Sequence, residues 1–470
     1  MRKNRFYYAS NEIKKHVSLS FNFVSMKIIP LPSLLVLLII SFLFVNQAYA
    51  QKKYALQECV DYALEHSYTV KQKILERESN NLQLQARKVG IAPALGANIG
   101  QTFDFGRAPQ ADALIVNSTQ ATTSLSIGMS MDIFQGLRTH HQLKSDKLNL
   151  EATLFEIEDA KENIELTVTA YYLQVLLNKE MLEILKKQIA FDQDQVNRIQ
   201  ILVDNGKSSD ADLYVANSTL ASDQLSVVEA ENSVRLSLLD LAQLLNYPEI
   251  SNFDIVTSGD YQQIDEILNQ NIDVTTVAER ALTNRPAIRA ALTRIEQAQR
   301  EVKVAQSNWY PSLSFNANFG TGYYYRFKEV AETNQPFGEQ FKNNARESLG
   351  LSLYIPIFDK LSTHYNVKQQ KLRVKSQELQ LEETKRILIK SIEQAYVNAV
   401  AAKEKYVASQ AAHASTKVAF EYEEVKNNAG SSTNYEFNEA KNKYLKAQSN
   451  LIQAKFDFLF RIKILEFYGE

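Results

Sequence analysis

The 470-residue sequence has a single cysteine, Cys59, so no disulfide framework holds the chain together. Cys59 stands at helical spacing from Leu56, Val60 and Ala63, which predicts a core thiol. An excess of charge of one sign is also missing. Fifty-two basic residues stand against 54 acidic ones, for a formal net charge of −2, and nothing points to a nucleic-acid partner. Glycine and proline are sparse, 14 and nine, and they form no phosphate-binding loop. There is no catalytic constellation, so the chain reads as a non-enzyme that needs no cofactor. His140, His141 and His364 raise a metal hypothesis. Without cysteines or clustered carboxylates around them they read instead as polar residues at helix entries. Long apolar runs are absent beyond residue 45. The one such run, 28–45, follows Met26-Lys27 and precedes Ala48-Tyr49-Ala50, the layout of a secretory signal cut after Ala50. Translation could begin at Met1 or Met26. An exported chain without an apolar helical span is either soluble or contributes to a β-barrel.

What is present is a long internal repeat. Pro93-Ala94-Leu95 returns 218 positions on as Pro311-Ser312-Leu313, and Ala63-Leu64 returns as Ala281-Leu282. With a shift of 224, Ile133-Phe134 meets Ile357-Phe358, His140 meets His364, Tyr172 meets Tyr396, Lys179-Glu180 meets Lys403-Glu404, and Gly206 meets Gly430. This is a duplicated architectural unit rather than a solenoid module. Residues 1–50 are leader, 51–246 the first unit and 247–275 a mixed linker expected at mid-height. Residues 276–470 are the second unit.

Each unit opens with a short helix (56–66, 277–284) and a second one (about 70–89 and 288–307). Pro93 and Pro311 then begin extended structure, with β-hairpins expected at about 93–134 and 311–358. Leu95, Ala97, Ile99, Gln101, Phe103 and Phe105 alternate with Gly96, Asn98, Gly100, Thr102 and Asp104. Residues 124–133, 312–327 and 348–357 alternate in the same way. One apolar face and one small polar face, over lengths near ten residues, suit a barrel wall between lipid and water. The aromatics Phe103, Phe105, Tyr323, Tyr325 and Phe327 gather toward the hairpin ends, as an interfacial girdle would. The polar stretches 107–121 and 328–344 read as long loops.

Past Phe134 and Phe358 the period changes. In steps of four and three from Leu150 to Val203, 13 of 16 positions are apolar, a sustained heptad stripe. Neither glycine nor proline interrupts 137–205, so a rod of roughly 100 Å is expected. The second rod is alanine-rich (Ala395, Ala399, Ala401, Ala402, Ala408, Ala411, Ala412, Ala414), which predicts the tightest packing there. Gly206 and Gly430 are C-cap candidates. They are followed by capping boxes at Ser209/Asp212 and Thr433/Glu436, then by returning helices. These helical hairpins cover 136–246 and 360–468. Each returning helix is shorter than its rod, so the return path is read as two helices stacked end to end. Four strands cannot close a barrel in lipid, so the chain must oligomerise. The physics fixes a multiple of four strands and not the multiple.

The order helix–Pro–strand, hairpin, long helix, glycine turn and return helix occurs twice. It is carried by Ala86-x6-Pro93, Ala305-x5-Pro311, Ile133-Phe134, Pro356-Ile357-Phe358 and Arg198-x7-Gly206-x5-Asp212-Leu213 with Ala216 and Leu220. This order resembles the outer membrane efflux protein family of TolC-like channels. The resemblance implies a mainly α fold with long α-helical hairpins, four transmembrane β-strands per chain and a homotrimer with a 12-stranded barrel. It implies an outer-membrane exit duct in contact with lipid and reaching into the periplasm. The duct would serve efflux or type I secretion, docked to a periplasmic adaptor and an inner-membrane pump. The alternative class is a periplasmic coiled-coil scaffold or adhesin without channel activity. In such a family the turns Val203, Asp204, Asn205, Gly206, Lys207 and Asn428, Ala429, Gly430, Ser431 would meet the adaptor. Gate candidates near the same end are Asp192, Asp194 and Arg198, with Glu421, Tyr422 and Glu424. The local sequence matches no family gate residue.

Overall fold

A computed structural model describes residues 53–109, 115–248, 252–257, 268, 273–327 and 334–469. The expected leader with its cut at Ala50, the centres of both strand-connecting loops and most of the linker lie outside the described residues. Among the described residues no helix is long and apolar enough to cross a membrane.

The first unit comprises β1 (Lys53–Tyr54), α1 (Leu56–His66), α2 (Tyr68–Val89), β2 (Ala94–Pro109), β3 (Ile115–Gln135), α3 (Arg138–Asp204) and α4 (Asp210–Leu244). After β4 (Asp254–Ile255) the order recurs: α5 (Val274–Asn284), α6 (Pro286–Gln306), β5 (Ser312–Arg326), a short α7 (Phe337–Asn343), β6 (Arg346–Tyr354), α8 (Ser362–Asn428) and α9 (Asn434–Gly469). Each rod is one unbroken helix of 67 residues, roughly 100 Å at 1.5 Å per residue. Each is entered through two consecutive left-handed residues, Gly136-Leu137 and Lys360-Leu361, a turn the sequence did not announce. Gly136 is obligatory, because a Cβ there would stand 2.5 Å from the Ser307 carbonyl.

The strands form one antiparallel sheet in the order β2-β3-β5-β6. Its register lines up the alternating faces. Leu95, Met129, Ala317 and Leu349 form one cross-strand row, and Ala97, Ile127 and Phe319 form the next. A bulge between Asp132 and Phe134 brings Phe134 opposite Leu313, so Phe134 joins the apolar face. From Leu313 to Thr321 these rows extend about 27 Å along the strand. Beyond them lie Gln101 and Thr123 and then the aromatics. The loop expected at 107–121 is mostly strand, since the ladder runs out to Pro109 and Ile115. The second expected loop contains α7. Because β6 pairs with β5 only as far as Gly320, the rest of the β5 edge needs other partners. Gln340, buried in α7, supplies them. Its Oε1 accepts from the Tyr324 N–H at 3.1 Å and its Nε2 donates to the Tyr324 carbonyl at 3.0 Å. Asn334 does the same for Arg326.

The return paths are stacked helices. α4 and α2 both lie along α3, and Asn246 just past α4 donates to the His66 carbonyl at the end of α1. In the second unit α9 and α6 lie along α8. α6 also packs on α3, and α9 also meets α3, so the two units interlock. Arg285 fixes this crossing: it pairs with Glu162 of α3 at 2.6 Å and lies over the Phe467 ring of α9. The main core is at mid-height, where Cys59, Tyr172, Leu241, Ala399 and Phe458 share one cluster. Burial pushes the Cys59 thiol up to about 12. β1 and β4 pair in parallel against α3 there, and the Tyr172 hydroxyl donates to the Val256 carbonyl. Lys179 holds Asp254 while its repeat mate Lys403 holds the Leu268 carbonyl. Equivalent lysines thus tether both parts of the linker.

Two packing expectations need correction. Burial on α3 is broader than the heptad stripe: Ala152, Thr153, Leu173 and Leu176 are buried, while Leu154 and Tyr171 on the stripe are exposed. A helix contacted by several neighbours buries more than one seam. Of the α8 alanines only Ala395, Ala399 and Ala402 are buried within the chain, whereas Ala401, Ala408, Ala411, Ala412 and Ala414 are exposed.

Candidate functional site

Both glycine turns are Schellman motifs. At the first, the Lys207 N–H donates to the Leu202 carbonyl and the Gly206 N–H to that of Val203, both at 2.8 Å. At the second, Ser431 donates to Lys426 and Gly430 to Asn427, at 2.9 and 3.1 Å. Gly206 and Gly430 have φ of 68° and 72°, with open space where a Cβ would sit. Backbone conformation, not crowding, therefore selects glycine. The boxes that follow are reciprocal: Asp212 N–H to Ser209 Oγ and Ser209 N–H to Asp212 Oδ2, each at 3.2 Å, and likewise Thr433 with Glu436. These bonds, backbone first, hold the Glu436 carboxyl below its usual range. The turns expose Asp204, Asn205, Gly206, Lys207, Asn428, Ala429, Gly430 and Ser431, with Val203 half-buried.

The structure joins some of the gate candidates and separates others. Arg198 bridges the two tips, its Nη1 donating to Asn428 Oδ1 and its Nη2 to the Asn427 carbonyl at 3.2 Å. Asp192 is buried and accepts from Gln188 and from Lys441 Nζ. Lys441 also reaches Asp223 at 3.4 Å. One ammonium from α9 thus lies between carboxylates of α3 and α4, with the Lys441 and Asp192 side chains only 3% and 6% exposed. Burial, and then a hydrogen bond with Asp192, raise the Asp223 carboxyl to about 6. Asp194 is exposed and apart from this group. Glu421 makes an exposed pair with Lys417 at 3.7 Å, and Tyr422 lies under the Lys426 ammonium. Glu424 is half-buried, while its neighbour Glu423 accepts from Ser432 at the tip. Sequence reasoning missed Lys441 and Asp223. The signal was a lysine within the apolar seam Phe437–Lys441–Tyr444, where a charge requires a partner. Among the described residues no group of three or more metal-ligating side chains occurs, and His140 and His141 form a T-shaped ring contact.

A sheet with one exposed apolar face, continued by roughly 100 Å of paired helices ending in capped turns, defines a subunit of a membrane-anchored channel. Outer membrane efflux protein is the family whose pattern matches residues 59–247 and 277–459, and this chain belongs to it. The chain is 21% identical over 390 residues to "Toxin and drug export protein A" of Aggregatibacter actinomycetemcomitans, covering 81% of each. Its fold resembles the outer membrane protein VceC of Vibrio cholerae, with a TM-score of 0.71, 16% identity, and 88% of this chain and 96% of that one covered. It also resembles the open MtrE channel of Neisseria gonorrhoeae, with a TM-score of 0.68, 19% identity and 88% of each covered. The protein is an outer-membrane efflux duct.

Proposed function

We propose that three copies of this chain close head to tail into a 12-stranded barrel and a helical tunnel. Such a duct carries cargo passively from periplasm to exterior and does no chemistry of its own. The observation that carries the reading is that both layers present unfilled edges. The sheet ends in β2 and β6. In the helical layer α3 meets α9, giving the order α4-α3-α9-α8, and both outer helices carry exposed stripes at heptad spacing. On α4 the stripe includes Tyr214, Leu225 and Val228, and on α8 it includes Val397, Val418, Tyr422 and Val425. A heterologous contact of this kind forms a ring when its rotation closes, here at three copies.

The internal repeat supplies a template for that contact. On α2, Tyr68, Leu75, Leu82 and Val89 are 64–71% exposed. Their counterparts 218 positions on include Pro286 and Thr293 of α6 and Ser307 just past its end, all buried within the chain. On α8, Tyr365, Leu372 and Leu379 are 61–72% exposed, while their counterparts on α3 end at Phe155, on which Arg289 of α6 stacks. The α6–α3 contact therefore models α2 of one copy against α8 of the next. Arg294 of α6 touches Glu156 and Asn149, so Glu76 should lie near Gln380 and Arg373 of the adjacent copy. Cys59, the native thiol, is buried, which makes a crosslink a clean test. Glu76→Cys with Arg373→Cys should give a covalent trimer under oxidation, and ion conductance in planar bilayers should accompany it. Monomers alone, with no conductance, refute the assembly.

The apolar sheet face would meet lipid after export and cleavage at Ala50. The turns 203–207 and 428–431 would form the far periplasmic end, where a periplasmic adaptor linked to an inner-membrane pump would dock. Arg198 and the Asp192–Lys441–Asp223 group tie the two helical hairpins together near this end, so the gate of the duct is assigned to them. Three copies of Glu421 and Glu424, about 60° apart on α8, would face the same ring, while Tyr422 belongs to the stripe that meets the next copy.

A further inference from the structure

At the foot of the sheet, a cavity of about 720 Å³ opens between the end of α2, the end of β3 and the first turn of α3. Its lining combines apolar residues, among them Ile91, Phe134 and Leu137, with the basic Arg87, Arg138 and His140. Phe134 lies opposite Leu313 in the ladder, so the apolar lining continues the apolar face of the sheet. The apolar residues stay largely exposed, with Ile133, Phe134 and Leu137 at 49, 42 and 57%.

Further basic residues lie near His141, the neighbour of the lining His140. His141 is held below its ordinary value by burial first, then by His140, Arg300, Lys144 and Lys303. Asp132 also lines the cavity and keeps its charge while accepting from Gln135 at 2.6 Å, and Arg87 is already paired with Asp146 at 3.1 Å, which leaves Arg138 as the lining cation outside an ion pair among the described residues. A free inorganic anion would fill a small fraction of this volume and leave the apolar lining wet. A molecule with an anionic head and acyl chains matches both kinds of lining residue, and the cavity lies where the apolar band of the sheet ends.

We infer that this cavity binds an anionic glycerophospholipid of the periplasmic leaflet, its phosphate at Arg138 with His140 and the Asp146-paired Arg87 beside it, and its chains on Ile91, Phe134 and Leu137. The inference rests on the reading that the apolar face of the sheet meets lipid. A basic side chain near a membrane surface favours an anionic lipid by about fivefold.

The chain carries its own reporter. Trp309 is the sole tryptophan. It is 48% exposed in the turn Ser307–Trp309, and the Ser307 carbonyl abuts Gly136, next to the cavity. The full mature protein, reconstituted in phosphatidylcholine bilayers, is titrated with brominated phosphatidylglycerol or, at equal mole fraction, brominated phosphatidylcholine. The expected result is stronger quenching of Trp309 by the brominated anionic lipid. The preference should fall about fivefold in Arg138→Gln and be largely kept in Arg138→Lys. Equal quenching by both lipids overturns the headgroup site but leaves the membrane reading intact. Reversal of the preference by inorganic phosphate at matched concentration overturns it in favour of a simple anion site. No quenching by either lipid overturns both the site and the lipid-facing sheet.

Discussion

Replacing Lys441 with methionine keeps most of the side-chain volume and removes the one ammonium between Asp192 and Asp223. With side chains 3, 6 and 24% exposed, two carboxylates would be left together without a counter-charge. Breaking a buried pair from one side costs about 3–5 kcal/mol. An independent bound comes from protonation, because the site can relax by taking up one proton. For an aspartate of reference pKa about 3.9, that costs about 5 kcal/mol at pH 7.5 and about 1.5 kcal/mol at pH 5, or 1.36 kcal/mol per pH unit. K441M should therefore loosen the tip-proximal half of α3 and α9 strongly at pH 7.5 and weakly at pH 5. Hydrogen exchange by mass spectrometry, corrected for intrinsic rates, should show protection lost around residues 185–195 and 437–445. The β-strands should be unchanged. Unchanged protection at pH 7.5, or a larger loss at pH 5, would refute the argument.

Asp223 gives a second pH test with a definite sign. Its folded value, about 6, lies above its unfolded one, so between the two the folded state binds more protons and is stabilised as pH falls. This contribution is fully present below the unfolded value and lost as pH rises through about 6. Asp223→Asn should flatten the dependence and stabilise the tip at pH 7.5, read by the same exchange experiment. Leu75→Glu places a carboxylate where burial of a leucine contributes about 1.5–3 kcal/mol per interface, so heat-modifiable trimers in detergent should give way to monomers with intact helicity. Gly206→Ala and Gly430→Ala meet no atoms but force alanine into a left-handed turn, costing about 1–2 kcal/mol. Each should fray one tip, while a bulky residue at either glycine should abolish efflux with trimers retained; wild-type drug resistance in both bulky variants would sink the adaptor assignment. Gln340→Ala removes both hydrogen bonds to Tyr324 at the β5 edge, about 0.5–1.5 kcal/mol each, seen as faster exchange at Tyr324.

Much of this architecture is written in local pattern. Period two along 95–105 and 313–327 declared the strands, and the absence of glycine and proline over 137–205 declared an unbroken rod. Gly206 and Gly430 with their capping boxes declared where each rod turns. These are properties of a residue and its near neighbours, so a linear reading reaches them. The repeat added the number of units and, through its unequal stripes, their different surroundings. The alanines of α8 show where such reading fails. Ala395 and Ala401 are alike in sequence, yet one is buried and the other exposed, because only the arrangement of α9, α6 and α3 around the rod decides which face is covered.

The sequence by itself determined the long helices, the alternating strands, their order and their duplication, since backbone geometry and side-chain periodicity are local. Tertiary structure alone decided that α6 packs across both rods, that Gln340 closes the β5 edge, and that Lys441 finds Asp192 and Asp223. Lys441 and Asp192 are 249 residues apart, and no periodicity links them. A buried charge announces that it must have a partner, but which partner depends on where the helices cross.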